Sequence, residues 1–139
     1  MGEDAAITPG ALMGDIRDVS DELFMDLLRK ERRFIVLEMW SPGCSVCKEV
    51  EGEVLRAQSD LAPDVVFMRV NVDHNSILAS RYKVTGTPSF LFFCNGQKIG
   101  GMIGFVSATA LRNSVRDLQK HSASCPASKR PSYEMDGYG

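Results

Sequence analysis

The chain has 139 residues, 44% hydrophobic and 24% charged, with 16 Lys and Arg against 18 Asp and Glu. That length suits one domain whose core needs no disulfide staples. A net charge of −2 without a long basic run offers no nucleic-acid surface, and no apolar run is long enough to span a bilayer.

Residues 1–13, rich in small side chains and carrying Pro9-Gly10, are expected to be a flexible lead-in. The acidic start Met1-Gly2-Glu3-Asp4 has neither the basic nor the apolar region of a signal peptide, and Ala6 stands where a myristoylation motif needs Ser or Thr. The domain proper is expected over 14–121. Ile16–Val19 is a short strand candidate. Ser20 then offers an N-cap and Asp21 and Glu22 first-turn acids to a helix that gathers Leu23, Phe24, Leu27 and Leu28 on one face. Phe34–Trp40 has the apolar, β-prone character of a strand buried on both faces, and Pro42-Gly43 ends it. A helix is expected from the first cysteines to about Gln58, with Val50, Val54 and Leu55 facing inward and Gly52 as a weak point. Val65–Val72 is the next strand and Ile77–Tyr82 a short helix. Thr85-Gly86-Thr87-Pro88 turns into the strand Ser89–Cys94. Asn95-Gly96 is a hairpin signal leading to a return strand, Gln97 to about Ile103. Ser107 caps a last helix with Leu111, Val115 and Leu118 in one stripe. Residues 122–139 lack a periodic apolar face and are expected to be a disordered tail. The order β-α-β-α-β-α-β-β-α predicts an α/β fold, with a mixed sheet of about five strands flanked by about four helices.

Four cysteines occur: Cys44, Cys47, Cys94 and Cys125. Only the first two are close, as C-x-x-C at the point where a strand gives way to a helix. Unsatisfied N–H groups and the helix dipole at that point favour a thiolate, so Cys44 is expected to attack and Cys47, one turn along, to resolve. Half of a zinc site is the alternative, but His74, His121, Cys94 and Cys125 are scattered without a second close pair. Cys94 is expected to be inert or partly exposed, and Cys125 incidental. Glu38 interrupts an apolar run and is expected to point into a buried region, where an unpaired carboxylate responds by holding its proton more tightly.

The chain resembles the thioredoxin family over about residues 14–121. Trp40, Cys44-x-x-Cys47-Lys48, Val84-x-Gly86-Thr87-Pro88, Phe93-x-Asn95-Gly96 and Gly104 follow in the family's order and with closely similar spacing. This resemblance implies a thioredoxin fold, a cis peptide bond before Pro88, and a redox-active Cys44–Cys47 disulfide. It further implies a proton relay through Glu38, shielding of the thiols by Trp40, and client binding along Gly43, Thr87, Pro88 and Gly104. Arg69 matches a basic position near the buried acid; a surface strand residue is its other reading. The activity implied is that of a protein-disulfide oxidoreductase, reducing protein disulfides through a mixed disulfide. No cofactor would be bound and no metal held. Electrons would come from NADPH through a flavoprotein reductase, or from another thiol donor. The partners implied are protein disulfides, with neither nucleic acid nor membrane, for a monomer in the cytoplasm.

Gly43 stands where thioredoxins usually carry Trp, Ser45-Val46 where they carry Gly-Pro, Glu38 where they carry Asp, and Gly52 where they carry a helix-kinking Pro. Val46, unlike proline, keeps an N–H near Cys44, and that is expected to favour the thiolate and a more oxidising pair. Two other readings remain: a thioredoxin-like module that docks clients at the Thr87-Pro88 groove with little turnover, and a metal-binding C-x-x-C protein.

Overall fold

The two apolar runs Phe34–Trp40 and Ser89–Cys94 lie side by side at the middle of a sheet in the computed structural model, which describes residues 16–121. In chain order the elements are β1 (Arg17–Asp18), α1 (Asp21–Lys30), β2 (Phe34–Trp40), α2 (Ser45–Leu61), β3 (Val65–Asn71), α3 (Ile77–Arg81), β4 (Ser89–Cys94), β5 (Gln97–Ile103) and α4 (Ala108–His121). The five strands are ordered β1-β3-β2-β4-β5. β1, β3 and β2 run parallel, whereas β4 and β5 are antiparallel to their neighbours. The expected lead-in 1–13 and tail 122–139 lie outside the described residues.

Both faces of the sheet are covered, as parallel strands require. One core packs Phe34, Val36, Phe67, Phe90 and Phe92 under Val50, Val54 and Ala57 of α2 and Leu111 and Val115 of α4. The other packs Ile35, Leu37, Met39, Leu91 and Phe93 against Phe24 of α1 and Leu78 of α3. Alternate residues of each strand thus enter opposite cores, and Glu38, even-numbered on β2, shares the face of Val36 beneath α2.

Most expected elements form where the local chemistry places them. The Ser20 hydroxyl accepts the Leu23 N–H at 3.0 Å and starts α1. Asn95 and Gly96, at φ 50° and 82°, make the two left-handed positions of the β4–β5 turn. The Ser107 hydroxyl accepts the Ala110 N–H at 3.0 Å near the start of α4.

Several bounds move. β1 shrinks to Arg17–Asp18, with Ile16 and Val19 buried on either side of it. α2 passes through Gly52 and on to Leu61, since its buried stripe continues through Ala57, Gln58 and Leu61. β3 stops at Asn71 and α3 at Arg81, with Tyr82 as C-cap. Leu23 is more exposed than its spacing implied and Leu55 only half-buried, so Phe24 and Val54 do the inward packing on their helices.

One contact has no local signal. Asp21, expected only as a first-turn acid, is buried, and its carboxylate accepts the N–H groups of Ile77 at 2.9 Å and Leu78 at 3.1 Å. Ser76, the N-cap of α3, makes no side-chain cap bond, so α1 supplies the cap from across the sequence.

Candidate active site

Pro42-Gly43 breaks β2, and the chain enters α2 with Cys44 as its N-cap residue. Cys44 Sγ accepts the Cys47 N–H at 3.1 Å, so the sulfur takes the place that a serine oxygen holds in an ordinary cap. It also lies 3.4 Å from the Thr87 carbonyl oxygen, joining the cysteine pair to the turn before β4. The Thr87–Pro88 peptide bond is cis, and Pro88 is buried behind that contact.

The two sulfurs differ in setting. Cys44 is half-buried, whereas Cys47 is 2% exposed and heads the stripe of α2 that lies on the sheet. Burial works against ionisation of Cys44, yet hydrogen bonds from the Cys47 thiol, the Thr87 side chain and the backbone N–H groups of Cys47 and Val46 bring its pKa below the ordinary thiol value. The Val46 N–H in that set is the donor a proline would remove. Burial and the neighbouring Cys44 sulfur push Cys47 up to about 11. One sulfur is therefore disposed to be a thiolate and the other a thiol, as nucleophile and resolving group require.

Beneath α2, Glu38 is 1% exposed, and neither of its carboxyl oxygens meets a hydrogen-bond donor among the described residues. Desolvation raises its pKa to about 7 against the lowering effect of Arg69, and Glu51 and Asp18 add to the rise. Arg69 is no surface residue: it is 3% exposed and pairs in register with Glu38 across β2 and β3. Its guanidinium lies over the Trp40 ring at 4.0 Å from the ring centre. The Trp40 indole N–H donates to Asp18 at 3.0 Å, so Trp40 is tied to the sheet edge.

Of the remaining expected residues, Gly43 is exposed in the loop before Cys44. Gly104, at φ 82°, donates its N–H to the Pro88 carbonyl at 2.8 Å and so comes beside the cis turn. On either side of it Ile103 and Phe105 are 81% and 53% exposed. These two apolar side chains on the rim were missed by sequence reasoning, although their position flanking Gly104 was a signal. Lys48 and His74 are exposed. His121 closes α4 with Nδ1 at 3.0 Å from the Asp117 carbonyl oxygen. Cys94 is fully buried in the core and engaged in a disulfide, so the expected partial exposure does not hold; Cys125 lies outside the described residues. Among the described residues no group of three or more His, Cys, Asp or Glu is placed to hold a metal ion, and no helix is long and apolar enough to cross a membrane.

Comparison with known proteins agrees with this geometry. Residues 15–117 match the family model described as Thioredoxin. A thioredoxin of Griffithsia pacifica is 28% identical over 106 residues, spanning 76% of this chain and 94% of its own. Thioredoxin 1 of Synechococcus elongatus is 28% identical over 103 residues, or 74% and 94% of the two chains. A solved structure from work on thiol resolution in yeast mitochondrial 1-Cys peroxiredoxin via glutathione/thioredoxin systems superposes with a TM-score of 0.67 at 27% identity. It covers 74% of this chain and 95% of the other.

Proposed function

The chain belongs to the thioredoxin family and is a thiol–disulfide oxidoreductase, and from that premise we propose how its residues divide the reaction. Cys44 thiolate attacks one sulfur of a client disulfide; a Cys44–client bond forms, and the client's other sulfur leaves as a thiolate and takes up a proton. Cys47 then gives its proton to the Glu38 carboxylate and attacks Cys44 Sγ. The client's second sulfur is released, two electrons have passed to the client, and the Cys44–Cys47 disulfide remains. The observation that carries this reading is the contrast between the two sulfurs: a half-buried N-cap sulfur with lowered pKa, and a buried sulfur with raised pKa one turn away.

The client is proposed to lie along Gly43, Thr87, Pro88 and Gly104, with Ile103 and Phe105 offering apolar contact where the family's Trp before Cys44 is absent. Recharging by a flavoprotein reductase that draws on NADPH, or by another thiol donor, is part of the same proposal and is supported by family membership. The cytoplasm is proposed as the setting. The protein is proposed to act there as a monomer, with no bound cofactor. A docking module without turnover is not favoured, since docking alone needs neither the thiolate-stabilising cap nor a buried resolving thiol.

Trapping tests the division of labour. Cys47→Ser is expected to retain the first step and accumulate a mixed disulfide with the client, visible by mass spectrometry as protein plus client and released by dithiothreitol. Failure to accumulate it, with Cys44→Ser accumulating it instead, would reverse the roles. Tuning is read separately. Val46→Pro removes one N–H from around Cys44, so the Cys44 pKa is expected to rise. The potential of the pair should then fall by about 30 mV, a tenfold change in its equilibrium. An unchanged potential would mean that the Val46 N–H has no part in the tuning.

A further inference from the structure

The register of the sheet sets three ionisable side chains in a row. Asp18 pairs with Arg69 across β1 and β3, and Arg69 pairs with Glu38 across β3 and β2. In-register partners on parallel strands point to the same side, and adjacent strands lie about 4.8 Å apart. The row belongs to the face covered by α2, where the same strands contribute Ile16, Phe67 and Val36 to the core. One guanidinium therefore stands between two carboxylates of unequal burial: Glu38 at 1% exposure, and Asp18 with its side chain 27% exposed at the sheet edge.

Arg69 leans toward the edge. Its Nε lies 3.7 Å from Asp18 Oδ1, and its guanidinium covers the Trp40 ring, which stands two residues beyond Glu38 on β2. The same Asp18 Oδ1 accepts the Trp40 indole N–H at 3.0 Å. One carboxylate oxygen thus accepts the indole hydrogen bond and forms an ion pair, without a hydrogen bond, to Arg69 Nε, while the Glu38 oxygens meet no hydrogen-bond donor among the described residues.

We propose that Asp18 is a positioning residue for thiol–disulfide exchange: by drawing the Arg69 guanidinium toward β1 and fixing the Trp40 indole beneath it, Asp18 withholds full charge compensation from Glu38 and keeps Glu38 a competent proton acceptor. This rests on the reading of Glu38 as the relay for Cys47. Among the described residues, the charged groups facing Glu38 are Arg69 from β3, Asp18 from β1 and Glu51 from α2, and on β4 its register partner is the apolar Phe90. Asp18 acts on Glu38 in one direction by both routes, through repulsion and through competition for Arg69. Without its charge, the repulsion on Glu38 is lost and more of the Arg69 charge is felt by Glu38, which becomes a weaker base.

Asp18→Asn tests this, because the amide keeps an oxygen for the indole while losing the charge. The Glu38 carboxyl is followed by 13C NMR against pH in the reduced full-length protein. Its midpoint is expected to fall by on the order of one pH unit. Asp18→Glu is expected to restore the wild-type midpoint, which a merely structural loss at the sheet edge would not predict. Trp40 fluorescence is expected to stay unchanged in Asp18→Asn and to change in Asp18→Ala. An unmoved Glu38 midpoint in a folded Asp18→Asn protein, or one that Asp18→Glu fails to restore, overturns the proposal. Whether exchange needs Glu38 at all is read from Glu38→Gln, so a failure of the relay reading shows there and is told apart from a failure of Asp18 to move the midpoint.

Discussion

In the Cys44→Ser protein, insulin-disulfide reduction by dithiothreitol is expected to fall to the rate without protein, while the fold is kept. Serine is a preferred N-cap residue, and its hydroxyl can accept the Cys47 N–H that the sulfur now accepts. The change in stability is therefore expected to stay within about 0.5 kcal/mol, which thermal unfolding would check. Activity has no such substitute. Cys47 is 2% exposed, and its burial, the largest cause of its raised pKa, remains when Cys44 is replaced, so little of it is thiolate at pH 7. Turnover well above the dithiothreitol rate in this variant would show that Cys44 is not the nucleophile.

A second large effect is expected at Glu38, and its sign depends on pH. The folded-state pKa is raised from 4.5 to about 7, so between those values the folded protein binds more protons than the unfolded chain. The stability tied to the protonated carboxyl is fully present below pH 4.5 and lost as pH rises through 7. At 1.36 kcal/mol per pH unit the full loss is roughly 3 kcal/mol. Glu38→Gln carries no ionisable group, so its stability relative to the natural chain is expected to improve by that amount between pH 4 and pH 9. Denaturant unfolding at the two pH values measures it, and parallel curves for both proteins would refute the buried-acid account. The variant's resolving step is expected to slow by on the order of 10²-fold, the lower end of what a positioned base supplies. The chain thus carries a destabilised carboxylate beneath its active helix. Burial of Phe34, Phe90 and Phe92 on the same face, at about 1.5–3 kcal/mol each, offsets that cost.

Much of the fold was legible in particular residues. β2, β4 and β5 fall within their expected limits because mostly apolar runs and an Asn-Gly turn act locally, and Ser20 and Ser107 mark helix starts for the same reason. The cysteine pair was legible from its place between a strand and a helix. Arg69 was legible only through its match to a basic family position near the buried acid; from the residues alone, a charged residue in an alternating strand looks outward unless both faces are known to be covered. The row Asp18–Arg69–Glu38 is set by the pairing of strands far apart in sequence, and no local pattern announces it. Ile103 and Phe105 escaped notice because apolar residues flanking a strand end ordinarily signal core, and only the placement of Gly104 against Pro88 turns them outward.

The cap that Asp21 lends to α3 bears on how the chain assembles. α3 has five residues, too short to persist as an isolated helix, and its first N–H groups are satisfied from a segment 56 and 57 residues earlier. Its formation therefore waits on α1 having already docked against the sheet. The turn that carries Thr87 and Pro88 follows α3 directly, so the cysteine-facing wall belongs to the late, long-range part of folding, while the β4–β5 hairpin can form early from its own turn.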